Sequence, residues 1–227
     1  MSAREDLLKL VAAHESGNGA AGHPHLDPKA VDAAVARRAA VLVLFGVLDD
    51  VPAQSDKPYA AADLDVLLLE RAHTLNSHPG QVAFPGGGID SDGEAAVEAA
   101  LREAEEETGL DPTGVEILGV LPELGLIRSN FLVRPVLAWW ASPSPVRVVD
   151  FGESAQVFRV PVRDLLDPAN RVTATITALG QTHKSPGFLV RDVLVWGFTG
   201  LILDGLFDQL GWTVPWDHER EYRVSLQ

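Results

Sequence analysis

The sequence predicts an α/β protein of the α+β kind, in which a mixed β-sheet lies between helices. Three observations predict it. Aliphatic and β-branched runs bounded by Gly and Pro recur along the chain, the clearest being Val41 to Leu48 and Val115 to Leu121, and such runs suit buried strands. Apolar residues at helical spacing recur at both ends, in Leu7, Leu8, Leu10 and Val11 and again in Phe198, Leu201, Ile202, Leu206 and Leu210. Strands and helices alternate without a strict βαβ rhythm, which favours a mixed sheet over an all-parallel one.

Taken in order, Ser2 to His14 reads as a short helix and Ser16 to His25, rich in Gly, Ala and His, as a loop. Asp27 before Pro28 is a helix start, an N-cap followed by proline at the first helical position, and predicts a helix running to about Arg38. Val41 to Leu48 predicts a central strand and Asp65 to Arg71 a second, joined through Asp49 to Ala62. Gln81 to Phe84 is a short strand stopped by Pro85, and a helix is expected from about Glu94 to Thr108, ended by Gly109 and Pro112. Val115 to Leu121 and Asn130 to Trp140 are strands, with Pro135 suggesting an edge or a bulge. Adjacent on one strand, Trp139 and Trp140 face opposite ways, which predicts one in the core and one outside it. Val157 to Val160, a helical turn over Arg163 to Leu166, strands at Arg171 to Leu179 and Phe188 to Val190, and a last helix over Trp196 to Leu210 complete the chain. There is no repeat and no clear linker. The expected organisation is an N-terminal helical extension over residues 1–38 and one domain over residues 39–227.

With 227 residues and 46% hydrophobic content the chain can build a proper core. A formal net charge of −14 argues against a nucleic-acid partner or an anionic membrane surface, both of which call for a basic face. It does not argue against a small anionic substrate, because a bound cation reverses the local field. The absence of Cys removes disulfides, thiolate zinc sites and cysteine nucleophiles. Met1 to Asp6 lacks a basic-then-apolar leader pattern, and the longest apolar run, Ala39 to Leu48, is too short to span a bilayer. A cytoplasmic protein is therefore expected.

The stretch that carries chemistry runs from Gly86 to Leu110, a glycine turn entering a helix that ends in Arg102, Glu103, Glu105, Glu106 and Glu107. A helix C-terminus carries partial negative charge and favours cations, so this crowding of carboxylates needs a neutraliser. Positions three and four apart share a helix face, which brings Glu103, Glu106 and Glu107 to one side within a turn. Oxygen-only ligation of this kind suits Mg²⁺ or Mn²⁺. Glycines at Gly86, Gly87 and Gly88 permit close backbone approach, and a carbonyl there could complete the shell. Arg102 is placed to pair with Glu98 or Glu106. A solvated glutamate face is the plain alternative.

The spacing decides between them. From Gly88 the chain reads Gly, five residues, Glu94, seven residues, Arg102-Glu103-Ala104, one residue, Glu106-Glu107, one residue, Gly109-Leu110. This resembles the Nudix box of the Nudix hydrolases at every fixed position, with Ala104 smaller than the usual Ile, Leu or Val. The resemblance implies an α/β/α sandwich and cation-dependent hydrolysis of a nucleoside diphosphate linked to another moiety. It also implies Glu103, Glu106, Glu107 and the Gly87 carbonyl as ligands of Mg²⁺ or Mn²⁺, with Glu94 and Arg102 as a supporting pair. Related hydrolases often pair, so a homodimer is a further expectation. A fourth acidic residue outside the box often serves such enzymes as ligand or base. Glu153 is the first candidate and Glu123 the second, with a solvated loop carboxylate as the alternative for each; Gln156 stands near where a further glutamate is expected.

Upstream, Leu67-Leu68-Leu69-Glu70-Arg71 followed by Leu75, His78 and the run Gly80-Gln81-Val82-Ala83-Phe84-Pro85-Gly86-Gly87 resembles the added signature of the coenzyme A diphosphatase subgroup. Leu69 replaces the usual Thr, and Asn76 stands where Arg is common. This similarity implies a CoA-like nucleotide substrate, with Arg71, His78, Gln81, Phe84 and Gly86 as contacts. Arg71 and His78 can donate hydrogen bonds to a phosphate; a surface ion pair with Glu70 and a turn-holding role are their alternatives.

Overall fold

The computed structural model describes residues 2–20, 23–48, 58–75, 77–90, 93–127, 129–178 and 180–225. Its organising strand is β1 (Arg37–Val47), where nearly every side chain is apolar and buried. Such a run forms when both faces of a strand are covered. β2 (Leu64–Arg71) pairs antiparallel with β1, as does β4 (Gly86–Gly88), whereas β7 (Phe131–Trp140) runs parallel to it. β3 (Val82–Ala83) edges the sheet beside β2, and β5 (Val115–Val120) and β6 (Leu124–Leu126) pair with the far side of β7. β8 (Ser154–Pro161) pairs with β2. A second sheet takes the order β11 (Val193–Val195), β10 (Gln181–Val190), β9 (Arg171–Ala178) and β12 (Glu221–Arg223).

Alternation along the strands sorts the core into two layers. Ala40, Leu42 and Leu44 of β1, Leu67 of β2, and Val136, Ala138 and Trp140 of β7 meet helix α2 (Ala96–Thr108). Val43 and Phe45 of β1, Leu68 of β2, and Leu137 and Trp139 of β7 face the other way. There they meet α1 (Ala3–Glu15), α4 (Gly197–Gln209) and residues of the second sheet, with the short α3 (Val162–Leu166) alongside. The mixed sheet between helices is thus the observed architecture.

Both tryptophans are core: Trp139 is 2% exposed and Trp140 1%, one in each layer. The period-2 rule placed them on opposite faces correctly; the expectation of one outside failed because both faces are covered. The helix expected from Asp27 to Arg38 is also corrected. Asp27 does accept the Lys29 N–H at 2.9 Å, but the helical turn ends at Ala30 and Val31 is already extended. Val31 is buried, and from Arg37 onward the backbone is committed to pairing with β7. Pro135 lies neither on an edge nor at a bulge of β7. It sits in the interior, where the β5 ladder has ended at Val136 and the β6 ladder has yet to begin at Val133. A residue without an N–H is tolerated at such a gap, and its carbonyl accepts the Leu121 N–H at 2.9 Å.

Two arginines, one half-buried and one buried, fasten the periphery. Arg159 pairs with the almost fully buried Asp65 at 2.6 Å and donates to the Val47 carbonyl at 2.7 Å. Arg171, 1% exposed, pairs with Asp204 of α4 and lies between the rings of Phe188 and Trp216. The second contact draws the segment carrying β12 onto β9.

β4 is a strand made only of glycine, and at Gly86 the reason is space. A Cβ on Gly86 would stand 2.4 Å from the Ala40 carbonyl oxygen and 2.7 Å from the Val41 Cα. Neither neighbour is a flexible side chain. Gly86→Ala should therefore cost about 1–3 kcal/mol or more and lower the Tm by roughly 3–10 °C in thermal unfolding. An unchanged Tm would show that β4 need not lie this close to β1.

Candidate active site

Helix α2 approaches the sheet chiefly through small residues, with Val97 and Leu101 partly buried against the same core layer. Ala96, Ala99, Ala100 and Ala104 are all buried against it. Ala104 continues this alanine face, so the helix axis can lie close to β1 and its charged edge close to β4. At the far end Gly109, at φ +67°, caps the helix and donates to Glu105 at 2.8 Å.

Arg102 is the hub of the charged edge. Its Nε donates to Glu94 Oε1 at 2.9 Å and its Nη2 to Glu94 Oε2 at 3.2 Å, while Nη2 also reaches the Gly88 carbonyl at 3.1 Å. Nη1 donates to Glu103 at 2.8 Å and to Glu106 at 3.3 Å. The hydrogen bond from Arg102, with a second from the Asp90 N–H, holds the Glu94 carboxyl below its ordinary range. Hydrogen bonds to Glu94 and then Glu103 hold the Arg102 guanidinium above its own range. Glu94 and Arg102 thus staple the entry loop to the helix. Of the two partners expected for Arg102, Glu106 is one; Glu98 instead accepts the Ala95 N–H at the helix start.

Glu107 takes a different partner. It turns inward and accepts the Gly86 N–H at 2.9 Å. Burial pushes its carboxyl up to about 7, opposed by that hydrogen bond; the charge of Glu103 pushes further up, Arg71 pulls down and Glu153 pushes up. Three separate segments, the α2 end, the β2 end and the loop before β8, therefore bring charge to one place. The Glu103 carboxyl lies against Gly87, so near that a Cβ there would be 2.3 Å from it.

Among the described residues no three acidic or imidazole side chains enclose a common point. Arg102 draws Glu103 and Glu106, and the Gly86 N–H draws Glu107. What remains is a donor set of hard oxygens with a glycine cradle beside it, a chemistry that suits Mg²⁺ or Mn²⁺. Those three carboxylates and the Gly87 carbonyl are the groups that could hold such an ion.

The upstream candidates divide. Arg71 lies at the end of β2, its backbone N–H on the Gln81 carbonyl at 3.0 Å and its buried Nε without a hydrogen-bond partner. It does not pair with Glu70, which takes His73 at 3.1 Å. His78, at φ +57°, shares a 2.9 Å hydrogen bond with Gln81 Oε1, so the two side chains brace one turn. Phe84 is 3% exposed and belongs to the core on the α1 and α4 side, which corrects its expected place among the contacts. Asn76 lies outside the described residues. The backbone carbonyl of Glu153 accepts the Ala72 N–H at 2.8 Å, beside Arg71. Glu123 pairs instead with Arg134 at 3.5 Å. No sequence pattern marks the Gly86 N–H as the partner of Glu107 or brings Arg71 to Glu153. A cavity of about 420 Å³, lined by Glu70, Val82, Trp196 and Tyr222 among others, holds none of the box carboxylates.

The Glu107 position has a consequence for stability. A carboxyl whose folded pKa is raised is penalised only when ionised, so the penalty is absent below the unfolded value near 4.5 and complete above about 7. In the presence of chelator, Glu107→Gln should stabilise the protein at pH 8 by on the order of 2–3 kcal/mol and leave stability at pH 4 unchanged. Denaturant titrations at the two pH values check this, and an equal effect at both would contradict it.

Residues 59–178 match the family model described as NUDIX domain. The chain is 36% identical over 146 residues to the uncharacterized Nudix hydrolase NudL of Escherichia coli K12, covering 64% of this chain and 75% of that protein. NudL of Salmonella paratyphi B is equally similar over the same length. Among solved structures, an Ap4A hydrolase binary complex from C. elegans aligns at 23% identity and a TM-score of 0.41, over 56% of this chain and 81% of its own. The NUDIX domain of Shewanella oneidensis NrtR, complexed with ADP ribose, aligns at 24% identity and a TM-score of 0.41, over 62% and 80%. No helix among the described residues is long and apolar enough to cross a membrane. With the family model spanning more than half of the chain and its carboxylates gathered at the end of α2, this chain belongs to the Nudix family of hydrolases.

Proposed function

We propose that the protein is a coenzyme A diphosphatase, which hydrolyses the diphosphate of CoA or acyl-CoA to 3′,5′-ADP and 4′-phosphopantetheine or its acyl form. One observation carries the reading. The segment Gly80 to Gly87, which resembles the CoA subgroup signature, is tied by hydrogen bonds both to Arg71, through Gln81, and to Glu107, through Gly86. Recognition residues and carboxylates therefore form one construction.

In this reading Glu103, Glu106, Glu107 and the Gly87 carbonyl hold Mg²⁺ or Mn²⁺, which neutralises the diphosphate and lowers the pKa of the attacking water. Glu94 and Arg102 fix the loop and helix that present these groups. Arg71 directs its unpartnered Nε hydrogen towards a phosphate oxygen, and a charge-assisted bond there offsets the desolvation of the guanidinium. Glu153, close enough to act on Glu107, is the outlying acidic residue that accepts a proton from water. His78 and Gln81 shape the turn that borders the substrate. The partner is a small nucleotide and neither nucleic acid nor membrane, as the net charge of −14 suggests; a homodimer and a cytoplasmic setting complete the proposal.

The second reading is a Nudix hydrolase for another nucleoside diphosphate derivative, such as a nucleotide sugar, a dinucleoside polyphosphate or an oxidised nucleotide. Leu69 and Asn76, which depart from the CoA signature, favour it.

Purified protein with Mg²⁺ or Mn²⁺ should release 3′,5′-ADP from CoA faster than it cleaves members of a panel drawn from those alternatives. A better substrate in the panel would transfer the assignment to the second reading. Glu106→Gln removes a ligand without touching the core, its side chain being 59% exposed, and should lower kcat by on the order of 10²-fold or more. A near-normal rate would remove Glu106 from the ligand set.

A further inference from the structure

The segment before β8 carries a feature that the proposed chemistry does not use. Phe151 is 76% exposed, the most exposed of the large apolar side chains among the described residues. Single exposed apolar residues are ordinary; the placement of this one is not. Its segment starts on the C-terminal end of α2, where the Arg147 N–H donates to the Thr108 carbonyl at 2.8 Å. Val149, itself 51% exposed, follows beside the capping glycine, its Cγ2 3.6 Å from where a Cβ on Gly109 would stand. The segment ends beside Arg71, where the Glu153 carbonyl accepts the Ala72 N–H and Ser154 pairs with Arg71. Phe151 therefore stands on a span that bridges the two ends of the candidate active site.

The span is also rigid where the ring sits. Asp150 Oδ1 accepts the Gly152 N–H at 2.7 Å, and the Asp150 carbonyl accepts the N–H groups of Glu153 at 3.2 Å and Ser154 at 3.0 Å. Those bonds close a tight turn with Phe151 at its outer corner. Burying the ring against the protein would remove apolar area from water, yet the turn holds it outward.

We propose that Phe151 is the stacking platform for the nucleobase of the substrate, a positioning residue that acts on binding. The inference rests on the reading of the substrate as a nucleoside diphosphate derivative, though not on its being CoA. A phenyl face offers dispersion and a ring quadrupole with no hydrogen bond, and a nucleobase is the part of such a substrate that presents a flat π-face to match. With the diphosphate at the carboxylates and Arg71, the nucleoside extends from it towards the rim on which Phe151 stands. Stacking of this kind tolerates any base, so base selectivity has to come from elsewhere.

The test uses the full chain and the variants Phe151→Ala and Phe151→Trp. For the best substrate, Phe151→Ala should raise KM by about 5- to 100-fold with kcat altered by less than about twofold, and Phe151→Trp should restore the wild-type KM or lower it. Calorimetric titration with adenosine 5′-monophosphate, which needs no turnover, should show the same weakening in Phe151→Ala, while inhibition by inorganic diphosphate, which has no base, stays the same. A wild-type protein that fails to bind the monophosphate, a KM unmoved by Phe151→Ala, or equal weakening of monophosphate and diphosphate would overturn the proposal. So would a change in molar mass by light scattering in Phe151→Ala, which would make the ring a contact between copies. If CoA is not cleaved but Phe151→Ala weakens the monophosphate, the substrate reading falls and the platform stands.

Discussion

A carboxylate held away from water at the negative end of a helix is the constraint on which this site depends. Glu107 stands in the last turn of α2, where the helix dipole already disfavours negative charge and burial disfavours it further. Its hydrogen bond comes from a single backbone N–H, that of Gly86. The bond joins the helix end to β4, and β4 in turn is a strand only because glycine lets it lie against β1. The helix reaches that position because four of its five fully buried residues are alanines, Ala96, Ala99, Ala100 and Ala104, with Thr108 the fifth. A larger side chain at Ala99, Ala100 or Ala104 would lift α2 and lengthen the Gly86–Glu107 contact before it altered any charged group. Core packing thus sets the electrostatics of the site.

Arg102 limits what this crowding costs. One guanidinium serves Glu94, Glu103 and Glu106 and also the Gly88 carbonyl, so most of the negative charge on the helix edge has a counter-charge within hydrogen-bond distance. Glu107 lies outside that network, with Arg71 acting on it from the neighbouring strand. The result is a graded set of carboxylates: Glu94 is held ionised, Glu103 and Glu106 share a cation, and Glu107 is pushed towards neutrality. A site graded in this way is primed for an added positive charge, which would gain most at Glu107, the group least compensated.

The legible parts of the sequence were those where local pattern and tertiary environment agree. β1 and β2 were readable as continuous apolar runs because both of their faces are buried, α1 and α4 because their apolar spacing matches a buried helix face, and α2 because Gly109 caps it. The segment from Asp27 to Arg38 was misread because an N-cap followed by proline starts a helical turn without setting its length; the turn ends at Ala30, and from Arg37 the backbone pairs with β7. β4 was invisible as a strand, since three glycines carry no strand signal. Trp139 and Trp140 show the limit of a periodicity argument, which assigns faces but cannot say that both faces are covered. At the site, spacing was enough to group Glu94, Arg102, Glu103, Glu106 and Glu107. It could not assign partners, because these depend on where a backbone N–H and a guanidinium happen to point. Phe84 was misplaced for a related reason: a motif position says that a residue matters to the fold around a site, not that it touches a ligand.

The sources of the site's residues differ in a way that bears on specificity. The box carboxylates and Arg102 come from one continuous stretch and depend on one helix and one glycine strand. Arg71, the turn at His78 and Gln81, and the span from Val149 to Glu153 come from three other places and meet only at the rim. Changes there can alter what is recognised without moving the helix, whereas changes within the box disturb the Arg102 network at once. Leu69 illustrates the distinction. It departs from the CoA signature, but at 1% exposure inside the sheet it has no surface to offer a ligand. Exchanging Thr for Leu at that position therefore alters packing beneath Arg71 and removes no contact. The departure that bears on substrate identity is consequently Asn76, where a neutral amide stands in place of the cation common in the signature, because a cation can pair with a phosphate and a neutral amide offers only weaker hydrogen bonds.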